Sequence, residues 1–172
     1  EIIKLYKSKD NRFEYFKRPS NFNPGGNGAR NYGFLMSKGK YINWFDSDDI
    51  MYKDFLLLKV KRFISNQNLN VVACGFIKKN LDTNYTSLPY NINLEHKPLE
   101  EYSTENLKLN TPTFMYEREF VSNFKFDEAL TRAQDLDFVF KVISNRNIKI
   151  GYENTILFEV IVHNNSITGN FR

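Results

Sequence analysis

The chain has 172 residues, 41% hydrophobic and 16% aromatic, enough for one full core in a single globular domain spanning residues 1–172. Its 24 basic residues against 20 acidic ones leave a formal net charge of +4, spread without any run of five or six like charges. This argues against nucleic acid as a partner and leaves a phosphate-bearing small ligand or an anionic membrane surface open.

In chain order, EIIKLYKSK carries apolar residues at positions 2, 3, 5 and 6 and reads as the end of an amphipathic helix already under way, so further residues are expected upstream. RFEYFKR, 12–18, alternates as a short strand that Pro19 ends. Asn23, Pro24, Gly25 and Gly26 punctuate a loop, and a helix is expected from about Gly28 to Ser37, stopped by Gly39. YINWF is the next strand, with Trp44 and Phe45 as core residues. MYKDFLLLKVKRFISNQ, apolar at 55, 56, 57, 60, 63 and 64, predicts an amphipathic helix of about four turns. NVVACGFIKK is a buried strand whose lone Cys74 excludes a disulfide framework and suits a reducing compartment. Residues 80–110 are irregular, with a short helix starting at Pro98. TPTFMYEREFVSNF predicts a strand and one helical turn. RAQDLDFVFKVISNRN predicts a helix with Leu136, Val139, Phe140 and Ile143 on one face, and ILFEVIVH a closing strand. The alternation of helix and strand favours α/β architecture with a mostly parallel sheet and helices on both faces. No apolar run approaches the roughly 18 residues that span a bilayer, and no leader opens the chain, so a soluble protein is expected.

The strand YINWF runs straight into Asp46, Asp48 and Asp49. Oxygen ligands at the carboxyl edge of a parallel sheet lie where α/β proteins bind ligands, and such a set suits Mg²⁺ or Mn²⁺ bridging to substrate phosphates. The competing reading is a helix start, with Asp48 or Asp49 capping a helix that begins near Tyr52. Taken alone, the cluster leaves both open.

Three stretches in order, NPGGNGARNYG (23–33), GKYINWFDSDD (39–49) and KFDEALTRAQDLDFVFKV (125–142), resemble the inverting family two glycosyltransferases of the GT-A fold. The resemblance covers most of residues 10–165. It implies a GT-A, Rossmann-like domain with a donor and metal half at 1–79 and an acceptor half at 80–172. It also implies transfer of a sugar, with inversion, from a nucleotide donor, UDP-linked by expectation, to a saccharide or lipid-linked acceptor. Residue by residue, Asp46 and Asp48 match Asp-x-Asp, Asp48 being the metal ligand and Asp46 facing the donor. Asp49 is an accessory carboxylate. Arg30 matches the arginine of Ala-Arg-Asn and serves the donor, with a salt bridge to the acidic cluster as the structural alternative. Asp135 matches the catalytic base. His163, near the domain end, is a further candidate for the metal or diphosphate. Asn23, Gly25 and Asn31 read as loop formers, and Asp137 as a solvent or capping residue. Phe114 and Tyr116 are candidates for acceptor stacking.

That chemistry needs these residue types. A divalent cation stabilises charge developing on the departing diphosphate. A carboxylate on the opposite face takes the proton of the attacking hydroxyl. The chain departs from the family pattern at Gln134, where a Glu usually precedes the base, which puts acceptor contacts in doubt, and at Ile161, where an Arg is frequent. The family's opening segment, which binds the nucleotide base, is also missing before Glu1, and a longer natural chain is the expected explanation. The setting implied is assembly of a bacterial-type surface polysaccharide or glycolipid, in the cytoplasm or at the inner face of the membrane, with peripheral membrane association open. Two alternatives stand beside it: an aspartate-nucleophile phosphatase in which Asp46 attacks phosphorus, and an inactive sugar- or nucleotide-binding module.

Overall fold

The computed structural model describes residues 2–90 and 110–163. Its elements in chain order are α1 (Ile2–Lys9), α2 (Gly26–Met36), β1 (Tyr41–Ile42), β2 (Ile50–Met51), α3 (Phe55–Ser65), β3 (Val71–Asn80) and β4 (Tyr85–Thr86). A 3₁₀ turn (Thr111–Thr113), β5 (Phe114–Glu117), α4 (Arg118–Val121), α5 (Gln134–Ile143) and β6 (Ile150–Val162) follow. The helix expected from Pro98 lies outside the described residues.

β3 is the hub, because Val71–Phe76 is apolar throughout and buried on both sides. Such a run belongs in a sheet covered on two faces. The strand order is β1-β5-β3-β6-β2, with β4 also paired to β3. The expected α/β class holds, but the sheet is mixed rather than mostly parallel. Only β3 with β6 runs parallel among the described ladders; β1 with β5, β3 with β5, β3 with β4 and β2 with β6 are antiparallel. The reason lies in connection length: apart from β3 and β4, long segments separate the antiparallel partners, and a long connection lets a strand enter the sheet in either direction.

Helices cover both faces, as expected. On one, Val71 and Ala73 of β3 and Phe114 and Tyr116 of β5 pack with Phe138, Val139, Val142 and Ile143 of α5. On the other, Val72 and Met115 meet Phe63 of α3, while Cys74, Phe76 and Phe158 meet Phe55. Period-two alternation along β3 and β5 sends neighbouring residues to opposite helices.

Four local expectations change. Residues 12–18 form no strand: Phe13, Tyr15 and Phe16 are exposed, and no ladder partner flanks them among the described residues. YINWF pairs only at Tyr41 and Ile42, opposite Glu117 and Tyr116. α2 starts at Gly26 and ends at Met36, capped by Ser37, whose N–H donates to the Gly33 and Phe34 carbonyls at 3.0 and 3.2 Å, so Gly39 is not its stop. In α5 the buried stripe is 138, 139, 142 and 143, leaving Leu136 and Phe140 half-exposed. The face directed at the sheet therefore starts one residue earlier, at Asp135, by the i, i+3, i+4, i+7 rule.

Candidate functional site

Two helix starts and one sheet edge meet at an open cleft of about 580 Å³. Gly25, at φ 105°, turns the chain into α2, and Ala133, at φ 53°, turns it into α5. Gly25, Gly26, Ala133, Gln134 and Asp135 line the cleft on this side. The opposing wall is Asp46, Ser47, Asp48 and Asp49 with Val160 and Ile161 of β6. Both helices thus begin at the cleft, and the positive end of a helix dipole favours an anionic ligand.

The glycine-rich loop is braced from several sides. Arg18 Nη1 donates to the Asn23 and Gly25 carbonyls at 2.5 and 2.9 Å. Asn23 N–H donates to Glu128 Oε2 at 2.6 Å, and Asn31 Nδ2 reaches Glu128 Oε1 and the Phe126 carbonyl, both at 2.9 Å. Asn23 and Asn31 act here as loop formers, tying α2 to the segment that leads into α5. Gly28 permits the closest approach, since a Cβ there would sit 2.1 Å from the Asn23 carbonyl oxygen.

Arg30 stands between the two acidic walls. Its Nη2 lies 2.9 Å from Asp46 Oδ1 and its Nη1 3.2 Å from Asp135 Oδ1. Its backbone carbonyl accepts from Trp44 Nε1 at 3.1 Å. Trp44 in turn packs edge-on to Tyr116, Phe126 and Phe138, a rigid aromatic floor two residues before Asp46. The salt bridge from Arg30 to the acidic cluster, weighed against a donor role, is therefore present in the ligand-free chain.

Asp48 is exposed on the turn at 47–48, where the Asp49 N–H donates to the Asp46 carbonyl at 3.3 Å. Asp49 is half-buried and accepts from the Ile161 N–H at 3.1 Å. Burial pushes its carboxyl up to about 6; the Ile161 bond opposes this, and the charges of Asp46, Asp48 and Asp135 add to it. The helix-cap reading fails on position. α3 begins at Phe55 with Asp54 as its N-cap, and β2 intervenes between the acidic turn and that helix.

Other expected site residues divide. Gln134 lines the cleft, its Nε2 held by the Leu130 carbonyl at 2.9 Å. His163 is absent from the cleft lining; it follows β6, two residues past Ile161. Phe114 and Tyr116 are corrected: at 1% and 2% exposed they are core residues beneath α5, because alternation along β5 turns both inward. Asp137 pairs with Lys141 at 2.5 Å. Among the described residues no three His, Cys, Asp or Glu side chains converge to hold a metal unaided. The reading from sequence missed Asn110, which also lines the cleft; nothing in its local pattern points there.

The model of the family described as glycosyl transferase family 2 matches residues 1–131. An uncharacterised glycosyltransferase of Methanocaldococcus jannaschii is 31% identical over 84% of this chain and 49% of its own length. The amylovoran biosynthesis glycosyltransferase AmsB of Erwinia amylovora is 26% identical over 83% of this chain and 48% of its own. The chain thus spans about half the length of the curated relatives it matches. Among solved structures, S. aureus TarS superposes with a TM-score of 0.66 at 22% identity, covering 94% of this chain and 28% of TarS, a likeness of fold.

Proposed function

The chain belongs to glycosyl transferase family 2, and from that premise we propose that it carries the donor and acceptor centre of a sugar transferase. The donor is a nucleoside diphosphate sugar, UDP-linked, and the acceptor a hydroxyl of a saccharide or lipid-linked saccharide. The supporting observation is that Asp46, Asp48, Asp49, Arg30 and Asp135, from segments as far apart as residues 30 and 135, line one cleft. The proposal keeps a single domain, with the donor half at 1–79 and the acceptor half at 80–172.

Asp48 and Asp49 are the proposed ligands of Mn²⁺ or Mg²⁺. The fit rests on the donor set: Arg30 engages Asp46 and Asp135, which leaves two oxygen-donor side chains, the protein share such an ion takes when phosphates supply the rest. When bound, the ion neutralises charge on the leaving diphosphate. Asp46 orients the donor, and Arg30, already aimed at both walls, keeps the two carboxylates from repelling each other. Asp135 accepts the proton of the acceptor hydroxyl as that oxygen bonds the anomeric carbon and the bond to the diphosphate breaks. Attack opposite the leaving group inverts the anomeric centre. His163 is not part of this proposal, and Gln134 is kept at the acceptor side as a neutral hydrogen-bonding group.

Family membership favours this over attack by Asp46 on phosphorus. Among the described residues no helix is long and apolar enough to cross a membrane. The proposal puts the protein in the cytoplasm, with the inner membrane face as the place to meet a lipid-linked acceptor in polysaccharide assembly.

The test is calorimetric titration of UDP with and without Mn²⁺, followed by transfer assays. Asp48→Ala is expected to lose the Mn²⁺-dependent part of UDP binding. Asp135→Asn is expected to keep binding and lose transfer about 10²- to 10⁴-fold. Unchanged UDP affinity in the first variant, or near wild-type transfer in the second, would remove the corresponding role. Binding without any transfer in the full-length protein would favour the inactive module.

A further inference from the structure

Two buried polar side-chain atoms among the described residues have no hydrogen-bond partner, and they belong to neighbours: Asn110 Nδ2 and Thr111 Oγ1. Folded proteins pair nearly all such atoms, because an unpartnered one has given up its bonds to water for nothing in return. Two side by side need a cause.

For Asn110, position supplies one. Asn110 lines the cleft together with Asp46, Asp48, Asp49 and Asp135. Thr111, 5% exposed, does not line the cleft: it faces a gap too tight for a water molecule, closed by Asp135 and by Trp44, Tyr116, Phe126, Phe138 and Val139. The backbone here is held firmly. The Asn110 N–H donates to Thr113 Oγ1 at 3.1 Å, and the Thr113 N–H donates to the Asn110 carbonyl at 2.9 Å. Behind the turn, the buried Lys59 Nζ donates to the Pro112 and Thr113 carbonyls at 2.7 and 3.1 Å. The turn is thus preorganised, with its spare polar atoms beside the proposed base.

We propose that Asn110 is a sugar-contacting residue, whose missing partner is a hydroxyl group of a sugar bound against Asp135. The proposal rests on the cleft being a sugar-transfer site. The Asn110 amide donates to a hydroxyl oxygen of that sugar. The same chemistry is offered by the donor's sugar and by the acceptor, so the two sources need separate arms.

Asn110→Ser removes the spare amide and keeps a side-chain oxygen to accept from the Thr113 N–H, as the Asn110 side chain does, and Thr111→Val removes the enclosed hydroxyl as a control. With the full chain and Mn²⁺, UDP and a panel of UDP-hexoses are titrated first; free hexoses are then titrated into protein saturated with UDP. Melting temperatures are recorded throughout. The expected result is unchanged UDP affinity and melting temperature in both variants, with sugar binding weakened about three- to tenfold in Asn110→Ser and unchanged in Thr111→Val. Loss confined to UDP-hexoses assigns the contact to the donor's sugar; loss confined to free hexoses assigns it to the acceptor. Three outcomes overturn the inference: sugar affinity in Asn110→Ser equal to that of wild type, no sugar contribution for any hexose in wild type, or an Asn110→Ser protein that melts lower or fails to fold. The last would mean that the atom has a partner within the chain. If wild type binds no UDP at all, the proposed function fails first, a result distinct from UDP binding with an unaltered sugar contribution.

Discussion

Asp49 is the residue at which burial and like charge act together most strongly in the cleft. Its carboxyl is pushed up from 3.8 to about 6, by burial first and then by Asp46, Asp48 and Asp135, against the opposing Ile161 N–H. Between about pH 4 and 6 the folded chain therefore holds a proton that the unfolded chain has released, so this group's contribution to stability falls as pH rises through that window and levels off above it. Asp49→Asn in the metal-free protein should raise the melting temperature at pH 7 and change it little at pH 4. A shift of the same size at both values would mean that the charge of Asp49 is not the cause. At this scale the sequence was informative about type and poor about direction. Asp46, Asp48, Asp49, Gln134, Asp135 and Arg30 reach one cleft, whereas Phe114 and Tyr116 do not, since an aromatic ring near an expected site has the same composition whether it faces ligand or core.

Among the elements, two junctions hold the cleft walls in place. The first is α2 against its own preceding loop, where Gly28 leaves no room for a Cβ beside the Asn23 carbonyl. Gly28→Ala should destabilise by about 1–3 kcal/mol, since here backbone rather than a flexible side chain must move. It should also weaken UDP binding through displaced Gly25 and Gly26; an unchanged urea midpoint would show that the loop yields freely. The second junction is Lys59 of α3, fully buried, with Nζ donating to Asn43 Oδ1 at 3.0 Å as well as to the two carbonyls of the 3₁₀ turn. Burial lowers this amine to about 8, which leaves it protonated at pH 7 and able to donate all three bonds. Lys59→Met should cost at least about 2 kcal/mol in urea unfolding, because three acceptors lose their donor. A loss under about 0.5 kcal/mol, the range of ordinary surface substitutions, would mean that water or a local shift replaces it. A lysine inside an apolar helix pattern reads as a solvent residue, so this bond was invisible in the sequence. Half of the α5 stripe was misjudged for a related reason: beside Val139 and Ile143, Leu136 and Phe140 fit helical spacing as well as Phe138 and Val142, and only the sheet beneath chooses.

For the whole molecule, a ligand that binds the folded cleft and not the unfolded chain must raise the melting temperature. At a hundredfold excess over Kd the gain is about 2.7 kcal/mol, or roughly 5–10 °C for a chain of this size. UDP with Mn²⁺ should produce a shift of that order and EDTA should remove it; a shift insensitive to EDTA would count against the metal. The sequence by itself determined the α/β class, the family, the principal strands and helices, and the chemical types at the cleft, because these follow from local periodicity and from short ordered motifs. Only the tertiary structure decided that the sheet is mixed, that residues 12–18 form no strand, that Arg30 bridges Asp46 and Asp135, and that Asn110 and Thr111 stand unpartnered beside them. Those facts depend on which distant segments meet, and a strand's partner, a salt bridge and an unsatisfied atom are properties of pairs that no single stretch of sequence contains.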